Sequence, residues 1–297
     1  MKKGLIYAII TALVFTTLEP VSKLIANDVT PYAITFWRFL IGAIILIPFA
    51  IIKIKKEKIH ITLKDFGIMT LMGGFFICVI MILLQTAIKS TPSPAITSMV
   101  FSTNSVLTII FSSFILKDKI TKNKVIAIIL CSAGILVCTD FSSGTNFSST
   151  LMAVGAALTF SLYTVFCKKY MARVGGIIQT AFTFFLGSII LLIALLVLRV
   201  NVSFPTDNIK TISILIYLGV LVTGIGYWSY FKGIEKGGAI IGSLAFFIKP
   251  ILTPFVTMFV NGITPNASVV IALILIVIGS YFALYKKEIT GEGDIKK

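Results

Sequence analysis

Shifted against itself by 145 residues, the chain aligns from end to end without a gap. Between residues 8 and 46, twelve of thirty-nine positions are identical, among them Ala8/Ala153, Ala12/Ala157, Phe15/Phe160, Thr35/Thr180, Phe39/Phe184 and Gly42/Gly187. The same shift matches Gly74/Gly219, Phe101/Phe246, Leu107/Leu252, Thr108/Thr253 and Gly134/Gly279. An apolar-biased alphabet gives roughly one chance match in ten. The chain is therefore one unit written twice, over 1–145 and 146–297. In a membrane chain, such a duplication points to a carrier with its site between the halves.

The chain has the composition of a membrane protein: 57% hydrophobic and 12% charged residues, with a mean hydropathy of +1.04. A helix needs about 20 apolar residues to cross a bilayer. Ten stretches qualify, at about 4–25, 31–52, 66–88, 93–116, 124–140, 150–168, 175–198, 211–233, 238–260 and 266–285. The runs are unbroken rather than alternating, which argues against strands. The expected fold is all-α and integral to the membrane, with ten transmembrane helices, five per repeat. The first stretch is too long for a cleaved signal peptide.

An odd number of helices per repeat makes the second repeat enter the membrane upside down. The charges agree. With both termini cytoplasmic, 20 of the 26 cations fall on inner segments and only Lys89, Arg199 and Lys210 on outer ones. That is the positive-inside pattern, and the second repeat begins at the weakly charged outer stretch 140–150. The net charge of +15 thus sets orientation, with some attraction to anionic lipid. It does not point to nucleic acid, because no soluble segment interleaves basic and aromatic residues.

Several function classes drop out. Cys78, Cys131, Cys138 and Cys167 form no CxxC or Cys/His cluster and read as packing residues. His60, the one histidine, cannot build a zinc site alone. No P-loop is present, which disfavours ATP-driven pumping. No GxSxG motif or carboxylate pair suggests an enzyme. No cofactor is expected.

Charges within spans mark function or pairing. Lys249 sits near the middle of the ninth stretch and is followed by Pro250 and Pro254, which remove amide donors and are expected to break the helix. Its repeat-mate, Asn104, is also polar. Arg38, after Phe36 and Trp37, either clamps an anion or pairs with an acid. Glu19 is the one acid well inside a span and precedes Pro20, a third expected helix break. It either carries a proton or neutralises Lys249 or Arg38. Lys23, at a helix end, either snorkels to the interface or serves function. Phe101 and Phe246 share a face with Asn104 and Lys249. With Trp37, Tyr227 and Trp228 they are candidates for a substrate-contacting wall. Gly219, Gly224 and Gly226 allow close helix approach.

These segments resemble the EamA-type branch of the drug/metabolite transporter superfamily over essentially the whole chain. The carrying motifs are Glu19-Pro20-Val21-Ser22-Lys23, Phe36-Trp37-Arg38-Phe39, Phe246 to Pro254, Ala133-Gly134 and Ile278-Gly279. The resemblance implies a 5+5 inverted repeat around a central cavity, and export of amino acids or other small metabolites by exchange or proton coupling. Relatives often carry a glutamate before the proline of helix nine, where this chain has Lys249. Of the acids expected after helices four and nine, Asp118 is present and Asn261-Gly262-Ile263 supplies none.

The functional expectation is a secondary active transporter in the cell (inner) membrane. It would move an amino acid or amino acid-like metabolite by alternating access, most simply outward. Its partners would be the small-molecule substrate, the bilayer, and either a proton or a counter-substrate. An exchanger for a sugar-phosphate or nucleotide-like anion is the alternative. A passive channel or lipid scramblase is the alternative from another class.

Overall fold

The computed structural model describes residues 2–115, 122–139, 144–205 and 208–284. Asp118 and the cations Lys117, Lys119, Lys286, Lys287, Lys296 and Lys297 lie outside them. The described backbone is helical, with short connections. In chain order the elements are α1 (Lys2–Thr16), α2 (Leu18–Lys23), α3 (Pro31–Glu57), α4 (Leu63–Gly74), π1 (Phe75–Met81), α5 (Ile82–Ser90), α6 (Pro94–Ser102) and α7 (Asn104–Ile115). Then come α8 (Lys122–Cys138), α9 (Gly144–Val174), α10 (Gly176–Val197), α11 (Ile209–Tyr217), π2 (Leu218–Gly226), α12 (Tyr227–Asn261) and α13 (Ala267–Leu284). Seven helical stretches among them are long and apolar enough to cross a membrane, and three shorter apolar helices cover Val125–Cys138, Ala245–Asn261 and Ala267–Phe282. The surface between the ends is apolar, with Leu13, Ile52, Ile129, Leu151, Leu196 and Phe259 exposed. A bundle facing hydrocarbon presents such side chains outward, because lipid offers no penalty for them.

Local sequence explains the helix ends. Thr30 caps α3 by accepting from the Ala33 amide, with Pro31 at the first helical position, where its missing amide is no loss. Thr62 and Asp65 form a reciprocal capping box on α4. Pro20 acts as expected: the helix breaks at Thr17, separating α1 from α2. Pro250 and Pro254 do not. Both stand inside α12, whose helical backbone runs past them to Asn261. Hydroxyl side chains and neighbouring helices satisfy freed backbone groups in a membrane bundle, so proline need not end a helix there.

Helical backbone also runs through the stretch between 233 and 238, where a loop was expected. The chain nevertheless reverses. The rings of Tyr230 and Phe246 lie 5.6 Å apart, whereas a straight helix would separate the two residues by about 24 Å. Both arms of α12 therefore pack along α1, Trp228 on Tyr7 and Phe246 on Phe15.

Two features fall at matching positions of the halves. The π segments, 75–81 and 218–226, overlap under the 145-residue shift. A π turn adds a residue and rotates the side chains beyond it about the helix axis. Here it sets the direction of Met81 and Tyr227, both buried. The second feature is close backbone approach at glycine. A Cβ on Gly42 would lie 2.8 Å from Thr223 Cγ2 and 3.3 Å from the Gly219 carbonyl, while Gly187, its repeat-mate, meets the backbone of Gly73. So α3 crosses π2 at Gly42 and α10 crosses α4 at Gly187. The paired Gly134 and Gly279 bring α8 against α13.

Gly187→Ala is expected to lower the melting temperature of the detergent-purified protein, with overpacking of about 1–3 kcal/mol. Gly67→Ala, where an added Cβ meets nothing within 4 Å, is expected to leave it unchanged or raise it. Equal effects of the two substitutions would show that backbone contact does not hold α4 against α10.

Candidate functional site

The centre of the bundle holds three ionisable side chains with almost no exposure: Glu19 at 0%, and Arg38 and Lys249 at 1%. Glu19 comes from α2, Arg38 from α3 and Lys249 from the second arm of α12. The Lys249 ammonium donates to Glu19 Oε1 at 2.5 Å. An acid of the first repeat thus neutralises a cation of the second. Of the two roles left open for Glu19, the geometry supplies the partner for Lys249.

Arg38 is placed differently. Its Nη2 reaches only the thioether of Met81, at 3.2 Å, and its guanidinium carbon stands 4.7 Å from the Phe39 ring centroid. Its Nε and Nη1 have no hydrogen-bond partner among the described residues. The Tyr227 hydroxyl faces the same sulfur at 3.7 Å. A guanidinium stays charged at any physiological pH, so a buried cation stands here without a bonded acid among those residues.

Aromatic rings wall the charges. Lys249 Nζ lies 5.3 Å from the centroid of Phe101, within cation–π range. Phe101 and Phe246 meet edge to face at 6.2 Å. Phe160 touches both, at 5.3 and 5.7 Å. Tyr227 continues the wall to Phe39 at 6.1 Å and to Phe76 at 5.7 Å. The structure therefore brings Glu19, Arg38, Lys249, Phe101, Phe246 and Tyr227 into one buried region.

Three candidates are placed elsewhere or otherwise occupied. The Trp37 indole donates to the Val202 carbonyl at 2.8 Å and packs on Phe204, locking the end of α3 to the segment after α10. Trp228 is turned to Tyr7 at the α1 face. Asn104 is central, but its amide donates to the Phe101 carbonyl at 2.6 Å across the break between α6 and α7, and its own carbonyl accepts from Ser161. A polar residue at mid-helix depth served here to mend backbone. Lys23 is also bound rather than free, donating to the Lys89 and Thr91 carbonyls at 2.7 Å each at the end of α5, where a cation suits the helix terminus.

The opposite end of the bundle carries bonds between the halves that pattern reading missed. Asp65, fully buried, accepts from Tyr170 at 2.6 Å and from Arg173 at 3.0 Å. Burial and that bond raise the Tyr170 phenol above its ordinary range. Lys53 pairs with Glu235 at 3.7 Å. The Thr-x-x-Asp capping box announced a fixed Asp65, but not its partners 105 and 108 residues away. A cavity of about 520 Å³ at the Lys23 end, lined by residues such as Ser93, Thr139 and Asn266, shares no lining residue with the charged centre. Among the described residues no group of three or more His, Cys, Asp or Glu could hold a metal.

Comparisons with known proteins bear on the family and the fold. The profile of the EamA-like transporter family matches residues 2–139 and again 147–285, one match per half. An uncharacterized transporter of Clostridium kluyveri is 35% identical over 289 residues, covering 94% of this chain and 92% of the relative. The uncharacterized transporter YyaM of Bacillus subtilis is 24% identical, covering 84% and 83%. A crystal structure with a TM-score of 0.70 and 19% identity covers 96% of this chain and 97% of its own, a likeness that shows the fold.

Lys249→Ala would leave the Glu19 carboxyl buried without its partner. A loss of about 3–5 kcal/mol is expected from breaking one side of such a pair, read as a fall in melting temperature. Glu19→Gln combined with Lys249→Met is expected to recover most of it. If the single variant is as stable as the parent, the pair does not hold the centre together.

Proposed function

Because the chain belongs to the EamA-like transporter family and is a multi-pass membrane protein, we propose that it is a secondary active transporter of the cell membrane. It exports a small amino acid-like metabolite by alternating access. In this reading the seven long and three shorter apolar helices are ten spans in a 5+5 inverted repeat, with both termini cytoplasmic. The paired π segments and paired glycine crossings support it, since two halves with the same local devices can exchange conformations about a shared centre.

The observation that carries the reading is the pairing of Glu19, from the first half, with Lys249, from the second. A site held jointly by both halves changes its exposure when they rock. In the conformation described its charged side chains are buried, and the Asp65–Tyr170–Arg173 and Lys53–Glu235 bonds hold what this orientation makes the cytoplasmic end. These bonds part when the site opens inward. Arg38, without a bonded acid, favours a second reading as an exchanger of organic anions. Here substrate replaces substrate at the guanidinium, and no proton gradient is needed.

Protein in proteoliposomes loaded with a metabolite is expected to take up the labelled compound by saturable counterflow. Arg38→Lys is expected to lower that rate at least about tenfold, since an ammonium cannot reproduce the planar fork. Flux that rises linearly with concentration without counterflow would identify a channel instead. Uphill net transport driven by an imposed proton gradient and abolished by a protonophore would favour proton coupling over exchange.

A further inference from the structure

Two buried polar side chains near the charged centre have no task in the packing. Gln85 on α5 is 1% exposed and Ser22 on α2 is fully buried. Neither the Gln85 amide nor the Ser22 hydroxyl has a hydrogen-bond partner among the described residues, and the same holds for Glu19 Oε2 and for Nε and Nη1 of Arg38. A buried amide without partners is destabilising, so a cluster of such groups calls for an explanation.

Their placement brings them to one region. Ser22 is three residues after Glu19 and on the same helix face. Gln85 is one turn beyond Met81, whose sulfur contacts Arg38. Both α2 and α3 pack against α5. Under the 145-residue shift their counterparts are Thr164, Cys167, Thr183 and Tyr230 in place of Glu19, Ser22, Arg38 and Gln85. The two charges at these positions thus belong to the first half, while of the second-half counterparts the Thr183 hydroxyl also lacks a hydrogen-bond partner among the described residues.

The groups are complementary to one kind of ligand. Arg38 offers donors, and a carboxylate displaces the neutral Met81 thioether as its acceptor with a stronger, charge-assisted bond. Glu19 Oε2 only accepts. Gln85 and Ser22 each donate and accept. A ligand with adjacent carboxylate and ammonium completes an alternating row: guanidinium, carboxylate, ammonium, Glu19, Lys249. We infer that Ser22 and Gln85 complete, with Arg38 and Glu19, a head-group pocket for a zwitterionic α-amino acid. The Phe101, Phe246 and Tyr227 rings receive its side chain. This rests on the reading of the bundle centre as the transport site.

Thermal shift of the purified full chain tests it with three probe sets: the common L-amino acids, their carboxamides and their N-acetyl derivatives. A ligand that binds the folded state raises its melting temperature. At least one amino acid is expected to raise it, with its amide inactive and its N-acetyl form at least tenfold weaker. An equal shift by the amide would overturn the carboxylate contact with Arg38, and an equal shift by the N-acetyl form would overturn the ammonium contact with Glu19. Gln85→Leu adds a readout that a structural role would not produce. Removing an unpartnered amide is expected to leave the ligand-free melting temperature unchanged or higher, while binding of the active amino acid weakens at least tenfold. A lower ligand-free melting temperature with undiminished binding would make Gln85 a packing residue. If no amino acid binds but another metabolite shows saturable counterflow, the pocket is wrong and the transporter reading stands. If nothing shows counterflow, the transporter reading itself fails.

Discussion

An acid and a cation bonded to each other in the middle of a hydrocarbon-facing bundle set the terms for everything around them. Neither Glu19 nor Lys249 reaches water, and each would be expensive alone in a low-dielectric interior. Their bond is worth having only if the segments bearing them stay close together. α2 and the second arm of α12 must therefore pack against each other, although one belongs to each half of the chain. The break at Thr17 and the fold-back of α12 are what let those segments meet. The aromatic wall of Phe101, Phe160 and Phe246 then excludes water and keeps the pair strong.

Around that pair the bundle is symmetric in its mechanics and asymmetric in its chemistry. Each half has a π segment in the corresponding helix and a glycine crossing onto the other half. Apolar helices gain nothing from hiding apolar surface in lipid, so they associate through tight van der Waals contact, which small residues permit. Glycine at both crossings is that device used twice. The charged positions are not used twice: Glu19 faces Thr164 across the repeat, Arg38 faces Thr183 and Lys249 faces Asn104. The repeat supplied a scaffold whose local devices recur in both halves, and divergence at a few buried positions placed Glu19, Arg38 and Lys249 at its centre.

The scaffold was legible because its signals are long. Apolar runs of about 20 residues and an ungapped repeat carry through the whole chain, and helix existence follows from them. Glu19, Arg38 and Lys249 stood out as charges in apolar surroundings, and the aromatic pair Phe101/Phe246 followed from helical spacing. What stayed hidden depends on direction rather than on position along the chain. Trp37 and Trp228 are in the right helices but point to Val202 and Tyr7. Asn104 has the right depth but is spent on the backbone at Thr103. The π segments have no sequence signature, although they help decide where Met81 and Tyr227 point. Pro250 and Pro254 were expected to break the helix, as proline does in water, but a membrane bundle tolerates proline within a helix, and α12 continues past both. Gln85 belongs to no motif, and only its burial without a hydrogen-bond partner among the described residues sets it apart.

Unpartnered polar atoms are unevenly distributed between tasks. Hydroxyls such as Thr16, Thr35, Ser161 and Ser188 return their bond to their own helix, one turn back, so burial leaves them satisfied. Arginine and glutamine have no such local escape, because their long side chains carry donors away from the backbone. Placing Arg38 and Gln85 in the interior thus accepts a standing penalty in the closed conformation that leucine at either position would remove. A carrier gains from such a penalty. In a carrier with its site here, as proposed, groups left unsatisfied in the empty state would make that state less stable than the loaded one, so the substrate's own bonds would favour closure around it. Arg38 and Gln85 both belong to the first half, and on the proposed reading their free donors and acceptors find partners only when a substrate is bound.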